Sequence, residues 1–240
     1  MEERHQNEWH KRSELFAATN TVAKVKRSEL YDLTWRITAE FIIKKLDIQS
    51  DQTVFDAGFG WGRVIHGIKT FLPETRIRGI ELTEELYKTA CRLMANQGFR
   101  DVDLHCADIL DLTDFTPDTF DAVYSTRVLH YITDKKKALT NLHRILKPSG
   151  SIVIIIPNRF CPYRWFSYNH PLYSIVKLKD LMAQVGFEGL EWGSIGFIPT
   201  RFGRFPHTSG LYALEKVFQK TFGINRIGGL AYIAGKKKCL

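Results

Sequence analysis

The sequence contains little cysteine and no long apolar run, and both absences narrow its class. Its 240 residues include four cysteines, none of which belongs to a C-x-x-C pair. Neither a disulfide framework nor a zinc site is indicated, so we expect a reducing, cytoplasmic setting. No stretch approaches the roughly 18 apolar residues that a membrane-spanning helix needs. The amino terminus is charged rather than apolar, and we expect no export signal there.

Acidic residues are scarce in the last forty positions. Residues 201–240 contain eight lysines or arginines but a single acid, Glu215, and so hold most of the net charge of +8. A solubilising surface explains such a run, as does affinity for an acidic substrate, an anionic lipid or RNA. These alternatives stay open, as do a peripheral membrane contact and a homodimer.

The stretch Thr53–Ile65, TVFDAGFGWGRVI, lacks the last glycine of a dinucleotide-binding loop. Glycine occupies positions 58, 60 and 62, but Arg63 stands where the G-x-G-x-x-G pattern needs glycine. The stretch predicts a short strand, a tight turn and a helix from about Trp61. The carboxylate of Asp56 would repel a pyrophosphate but attract a ligand that carries an ammonium and a sulfonium group. The loop therefore favours S-adenosylmethionine over NAD.

Two further acids follow predicted strands. The strand Ile77–Leu82 ends at Glu81, 19 residues beyond Gly62, where a carboxylate is placed to accept both hydroxyls of a ribose. After the third strand, Asp108 is placed to accept the amino group of an adenine, with Ile109 packing on the ring. A solvated loop acid is the alternative for Asp108.

Helix ends are marked by local residue choices. Thr83, Asp134 and Ser174 are predicted to cap the amino ends of three helices, and Gly98 and Gly186 to close two of them. Residues 147–150, KPSG, are predicted to turn the chain into the apolar strand SIVIII.

Strand and helix alternate five times, which predicts an α/β fold with a doubly wound parallel sheet. Ligands bind such sheets over the carboxyl ends of the strands. Asp56, Glu81, Asp108 and the loop 126–131 all fall on that edge. We expect a single domain over residues 1–240, with amino-terminal helices over 1–46 and substrate-side insertions at 158–174 and 200–225.

Five ordered motifs resemble the class I S-adenosylmethionine-dependent methyltransferases, and most of all their small-molecule branch, which includes the ubiquinone and menaquinone methyltransferases. They are DAGFGWG, the acid of GIEL, CADI, FDAVYSTRVLHYI and LHRILKPSGSIVIIIPN, and they lie within residues 35–195. The resemblance implies a mostly parallel Rossmann-like sheet of seven strands, with an antiparallel strand over 227–235. Trp61 departs from the smaller residues usual in the glycine loop.

The resemblance also implies a set of cofactor-binding residues. The loop Asp56–Gly62, with Gly58 and Gly60, would hold the methionine part of S-adenosylmethionine, and Arg127 would close that side. Glu81, followed by Leu82, would hold the ribose, and Asp108 with Ile109 the adenine. The demethylated product, S-adenosylhomocysteine, would occupy the same site, and no metal is implied.

The loop after the fourth strand, STRVLHYI, lacks the groups that three other reactions need. It has no Asn/Asp-Pro-Pro-aromatic box, which disfavours methylation of nucleic-acid bases and glutamine amides. It has neither clustered carboxylates for a metal-assisted mechanism nor a cysteine for carbon methylation. Direct methyl transfer to an oxygen or nitrogen remains, with His130, next to Tyr131, as the first candidate base and His170 as the second. A packing role beneath the cofactor is the alternative for His130.

Substrate-binding residues are expected in the aromatic insert Asn158–Tyr173. Tyr163, Trp165 and Tyr168 suit an aromatic substrate wall or a cage for a cationic amine, and the alternative is a lid packed on the amino-terminal helices. Tyr31 and Trp35 are candidates from the first predicted helix, and Arg201 suits a carboxylate. The sequence thus predicts a small-molecule methyltransferase of secondary or cofactor metabolism. An RNA methyltransferase that uses the basic tail and a non-catalytic scaffold are the alternatives.

Overall fold

The computed structural model describes residues 29–161, 172–196, 210, 213–217 and 227–239, with side chains from residue 35 onward. The helices are α1 Glu29–Leu46, α2 Arg63–Phe71, α3 Glu84–Asn96, α4 Lys135–Ile145 and α5 Ile175–Val185. The strands are β1 Thr53–Ala57, β2 Arg76–Glu81, β3 Val102–Cys106, β4 Phe120–Thr126, β5 Leu146–Pro157, β6 Phe187–Ile195 and β7 Leu230–Lys237. Within these ranges, no helix has the combination of length and apolarity needed to cross a membrane.

The seven strands form one sheet in the order β3-β2-β1-β4-β5-β7-β6. Strands β1 to β5 pair in parallel, and β7 runs antiparallel to both β5 and β6. The chain reverses its direction of travel across the sheet between β1 and β4, where the carboxyl ends of adjacent parallel strands open a crevice. The predicted doubly wound, mostly parallel fold is confirmed.

Both faces of the sheet are covered by apolar helix faces. The helices α4 and α5 pack on one face, through residues such as Leu142 and Leu178, and α1, α2 and α3 pack on the other. The central strand β5 is buried on both faces from Ile152 to Ile156, as its unbroken apolar run predicts. Solvent therefore reaches the sheet at the two ends of its parallel strands. These are called the amino edge and the carboxyl edge below, after the strand ends that lie there.

Two of the three predicted helix caps are confirmed by side-chain hydrogen bonds. Asp134 accepts from the Lys137 amide at 2.9 Å, and Ser174 accepts from the Lys177 amide at 3.4 Å. Gly186 ends α5 with a φ of 110°, as predicted. Thr83 stands at the amino cap of α3 as predicted, but its side chain makes no cap bond. Its amide instead donates to the Glu81 carboxylate at 3.0 Å.

The predicted turn at 147–150 was wrong, because these residues lie inside β5. Leu146 already pairs with Phe120 of β4, and the pairing resumes at Ser151 opposite Ala122. Three more residues separate these two pairs on β5 than on β4, and Ser149 has a φ of 60°. Residues 147–150 thus form a bulge rather than a turn, because β5 pairs with β4 both before and after them.

Candidate functional site

The glycine loop lies at the carboxyl end of β1, and glycine is required at its three positions for different reasons. All three have positive φ angles, of 97° at Gly58, 55° at Gly60 and 79° at Gly62. A Cβ on Gly58 would lie 2.3 Å from the Val128 side chain, and one on Gly62 would lie 3.0 Å from Met94. A Cβ on Gly60 would meet nothing within 4 Å. Packing thus demands two of the glycines, whereas the third borders open space.

The helix after this loop begins at Arg63 rather than at Trp61. Gly62 stands at the cap position in the left-handed conformation, so the chain becomes helical only beyond it. The guanidinium of Arg63 lies over the Trp61 ring, 4.9 Å from its centroid. Trp61 therefore belongs to the loop.

Glu81 ties the glycine loop to the end of β2. One carboxylate oxygen accepts from the Gly60 amide at 2.9 Å, and the other accepts from the Thr83 amide. The side chain is nearly buried, with 7% of its surface exposed. Burial raises the pKa of the Glu81 carboxyl, and the bonds from Thr83 and Gly60 act in the opposite direction. The loop and the predicted ribose acceptor thus form one hydrogen-bonded unit.

Asp56 lies fully buried at the end of β1. In the described part of the chain, no donor stands at full hydrogen-bonding distance from either of its carboxyl oxygens. Burial raises its pKa well above the usual range, the Tyr124 phenol lowers it, and the nearby Glu81 charge raises it further. A buried carboxyl without a cation is costly in its ionised form. Asp56 is therefore suited to a ligand that brings positive charge.

The predicted adenine contacts follow β3. The Asp108 carboxylate accepts from the Leu110 amide at 2.9 Å, which shapes the loop. The Ile109 side chain is 5% exposed and lies in the core, whereas Leu82 is 37% exposed. Leu82 thus offers more apolar surface at this edge than Ile109, and the adenine contacts of all three residues stay predictions.

The loop after β4 packs against the glycine loop through Val128, which sequence reasoning missed. Arg127 has a φ of 63°, and its amide donates to the Ile155 carbonyl at 2.7 Å. The His130 ring is 5% exposed and lies on the Tyr131 ring, with 3.9 Å between the ring centroids. The structure therefore brings this loop to the site, and the part of His130 as a base stays a prediction.

The amino- and carboxyl-terminal parts of the chain meet beside this edge. Glu40 of α1 accepts from Lys216 at 2.6 Å, within the short helical stretch 213–217. Glu215 is buried and accepts from the Gly196 amide at 2.9 Å, just beyond β6. Trp35 of α1 is half-buried against the core. These contacts fix the helical stretch next to α1 and the end of β6.

Several predicted residues cannot be placed. Outside the described residues lie Tyr163, Trp165, Tyr168, His170 and Arg201, and the side chain of Tyr31. Among the residues that are described, no group of three His, Cys, Asp or Glu is arranged to hold a metal ion.

A cavity of about 390 Å³ lies at the opposite, amino edge of the sheet. Its lining comprises Lys45, Ser151, Glu188, Gly189, Glu191, Ala234, Gly235 and Lys236. None of the predicted site residues lines this cavity. Its charged lining residues are two lysines and two glutamates, so it favours neither a cation nor an anion. The carboxyl edge remains the candidate site.

The residues at the carboxyl edge fit S-adenosylmethionine on two observations. The Asp56 carboxyl has no cation beside it in the described structure, and the ligand carries two positive groups. The open space at Gly60 adjoins the Glu81 carboxylate, which still has acceptor capacity for hydroxyls. The same edge would repel the pyrophosphate of a dinucleotide.

Comparison with known proteins agrees with this geometry. Residues 55–154, from β1 to β5, match the sequence profile of the methyltransferase domain family. The chain is 25% identical over 177 residues to the ubiquinone/menaquinone biosynthesis C-methyltransferase UbiE of Geotalea daltonii, which covers 73% of this chain and 72% of that protein. It is 28% identical over 172 residues to the O-methyltransferase rstn1 of Aspergillus nomiae, covering 68% and 75% respectively.

Among solved structures, the phosphoethanolamine N-methyltransferase 2 of Haemonchus contortus in complex with S-adenosyl-L-methionine superposes with a TM-score of 0.64. The identity is 16%, over 90% of this chain and 58% of that one, so the likeness concerns the fold. Domain profile and relatives thus agree on a methyltransferase, and the solved structure agrees with the fold. Residues 55–154 are thus similar to the methyltransferase domain family, and the sheet has the fold of the class I S-adenosylmethionine-dependent methyltransferases.

Proposed function

We propose that this chain transfers the methyl group of S-adenosylmethionine to an oxygen or nitrogen atom of a small molecule. The observation that carries the proposal is the carboxyl edge itself, where Glu81 is bonded to the Gly60 amide beside the uncompensated Asp56. The O-methyltransferase relative supports an oxygen acceptor. The UbiE relative is a carbon methyltransferase, so the atom that is methylated has to be tested directly.

Each part of the cofactor has a proposed partner on this edge. Glu81 would hold the ribose hydroxyls, and Asp108, Ile109 and Leu82 would flank the adenine. The loop Asp56–Gly62 and Arg127 would hold the methionine part. The bound cofactor supplies the electrophilic methyl group, so the protein has to align the acceptor and exclude water.

The acceptor side of the edge is rich in apolar surface. Phe160, Leu172, Val176 and Ile227 are large apolar residues with 38% to 54% of their surface exposed. By strand direction they all lie beyond the carboxyl end of β5 or before β7, which begins at that edge. Phe160 and Leu172 belong to the same insert, 158–174, that carries Tyr163, Trp165 and Tyr168. This surface supports an apolar or aromatic acceptor, with Tyr31 and Trp35 as further lining.

A proton has to leave the acceptor if it is a hydroxyl or a protonated amine. His130 and His170 are the proposed bases, with Tyr131 as the ring that holds His130. An acceptor carboxylate would meet Arg201. Because a carboxylate acceptor already carries its reactive lone pair, it would need no base.

The test is isothermal titration with S-adenosylmethionine and S-adenosylhomocysteine, followed by a screen of phenols, amines and carboxylates with methyl-labelled cofactor. We expect micromolar cofactor binding and label transfer to at least one class. E81Q is the site control, and it should weaken cofactor binding by between tenfold and about a hundredfold and lower label transfer at the same cofactor concentration. Cofactor binding without any acceptor among small molecules, together with transfer to RNA, would overturn the proposed substrate class. No cofactor binding at millimolar concentration would overturn the catalytic assignment.

A further inference from the structure

Tyr124 of β4 lies directly beside Asp56. The two residues are partners in the parallel register of β1 and β4, so their side chains leave the same face of the sheet. Adjacent strands are separated by about 4.8 Å, which brings side chains at paired positions into contact range. Both residues are fully buried. Tyr124 thus places a phenol next to Asp56, the most deeply buried acid among the described residues.

Among the described residues, none of the groups that shift the pKa of Asp56 is a cation. From β2, Glu81 contributes a second negative group. The buried face of α2 is apolar apart from Lys69, whose ammonium donates to the carbonyls of Pro73 and Thr75. The buried side chains on the described part of α1 are Thr38, Ala39, Ile42 and Leu46, none of them charged. In the part of the chain that the structure describes, Tyr124 is therefore the group that favours the ionised form of Asp56.

The phenol and the burial act in opposite directions. Burial and the Glu81 charge raise the pKa of Asp56, whereas the Tyr124 hydroxyl lowers it. No full hydrogen bond joins the two groups in this structure. A hydroxyl so close needs only a small shift to donate to a carboxylate, and such a bond is strongest when its acceptor is charged. An approaching positive ligand would provide the reason for that shift.

We propose that Tyr124 is a positioning residue of the cofactor site, whose hydroxyl donates to Asp56 and keeps it as the carboxylate that attracts the positive charge of the ligand. The inference rests on the proposed function in one respect, namely that the ligand is S-adenosylmethionine. Tyr124 itself, being fully buried, does not have to touch the cofactor.

The experiment is to measure cofactor affinity by calorimetry between pH 5.5 and 8.5. In the wild type, affinity should fall toward low pH as Asp56 takes up a proton. In Y124F the carboxyl loses the group that lowers its pKa, so the midpoint of this fall should move to higher pH by about one unit. Near the midpoint, the variant should bind the cofactor up to about tenfold more weakly.

The matched control is S125A. Ser125 is equally buried on the same strand, but its hydroxyl donates to the Ala57 carbonyl at 2.8 Å rather than to Asp56. Its removal should leave the pH midpoint unchanged. In a D56N background, Y124F should cause no further shift, because the group that titrates is gone. Y124M removes the same hydroxyl with a different shape and should reproduce the shift, should Y124F fold poorly.

The outcomes separate this inference from the proposed function. A wild type that binds no cofactor at any pH would overturn the proposed function. A wild type that binds, with the same midpoint in Y124F and Y124M as in S125A, would overturn the role of Tyr124. A midpoint shift that persists in the D56N background would also overturn it.

Discussion

The acids at the amino edge and at the carboxyl edge of the sheet differ in whether they form ion pairs. At the amino edge, each of three acids has a lysine partner: Asp118 with Lys237 at 2.7 Å, Asp121 with Lys147 at 2.6 Å, and Glu191 with Lys45 at 2.7 Å. At the carboxyl edge, Asp56 and Glu81 are more deeply buried, and the described structure shows no ion pair to either. The more costly charges are thus the ones left without a cation.

This difference identifies the functional edge better than shape does. The amino edge has a cavity of about 390 Å³, and two of its charged lining residues, Lys45 and Glu191, form an ion pair with each other. Half-exposed ion pairs of this kind contribute at most about 1 kcal/mol each, and they require no ligand. Buried carboxyls without a cation destabilise the empty protein and favour a cationic ligand. The carboxyl edge is therefore incomplete by itself, and the amino edge is not.

The largest expected effect comes from matched substitutions on the two edges, E81Q and E191Q. E81Q should weaken cofactor binding by between tenfold and about a hundredfold, because an amide gives up one charged acceptor and meets the Thr83 amide with a second donor. E191Q should leave affinity unchanged. Calorimetric titration of both variants with S-adenosylhomocysteine measures the contrast, and equal affinities would remove the distinction between the edges.

The second prediction compares two glycines that share a backbone conformation. Gly60 and Gly98 have φ angles of 55° and 70°, and a Cβ on either meets nothing within 4 Å. G60A and G98A should each lose roughly 1 to 2 kcal/mol of folding stability, since alanine is strained there. G60A alone should weaken cofactor binding, by about tenfold or more, because its methyl group enters the open space.

Denaturant unfolding and cofactor titration of G60A and G98A provide the measurements. If G98A weakened binding as much as G60A did, the loss would come from backbone strain rather than from a filled site.

The third prediction concerns the stability of the empty protein. The pKa of Asp56 is raised in the folded state by burial, so the folded chain holds a proton that the unfolded chain releases. Stability from this group is therefore present at low pH and declines as pH rises from about 4 toward the raised pKa. D56N should remove that decline and raise the melting temperature at pH 8 by about 3 °C, the effect of roughly 1 kcal/mol in a domain of this size.

Thermal unfolding of the wild type and D56N at pH 5 and pH 8 tests this prediction, with and without cofactor. The thermal shift that the cofactor causes should also be smaller in D56N than in the wild type. A melting temperature that falls at pH 8 would show that Asp56 is a structural acid like those of the amino edge.

The smallest effect is expected for K45A at the amino edge. The ion pair of Lys45 with Glu191 is exposed on its acidic side, so its loss should change folding stability by less than about 1 kcal/mol. Cofactor affinity should stay as in the wild type. Chemical denaturation of K45A measures the first effect, and a larger loss would assign a structural part to the cavity at this edge.

Much of the fold could be predicted because its determinants are local. The capping bonds of Asp134 and Ser174 and the end of α5 at Gly186 depend on residues within one turn of helix. The same local reasoning placed Thr83 correctly at the amino cap of α3 but not its side-chain bond, and it failed for the turn at 147–150. In each case another part of the chain supplies the hydrogen-bond partner: Glu81 accepts from the Thr83 amide, and β4 pairs with β5 on both sides of residues 147–150.

The candidate site was predictable in composition but not in arrangement. The spacing of Asp56, the glycines and Glu81 was visible in the sequence, because strand ends follow each other at regular intervals along the chain. The bond from Gly60 to Glu81 joins residues 21 positions apart, and the contact of Val128 with Gly58 joins two separate loops. Such contacts between distant residues cannot be predicted from the spacing of residues along the sequence.

The sequence by itself thus determined the order of strands and helices, the glycine loop and the acids that follow the strands, because each depends on neighbours along the chain. The tertiary structure alone decided which strands became neighbours, and with them the pairing of Asp56 with Tyr124 across 68 positions. It also decided that the buried acids of the carboxyl edge have no ion pair among the described residues, whereas three more exposed acids of the amino edge each have a lysine partner. Register between distant strands sets these relations, and it is established only when both faces of the sheet are packed.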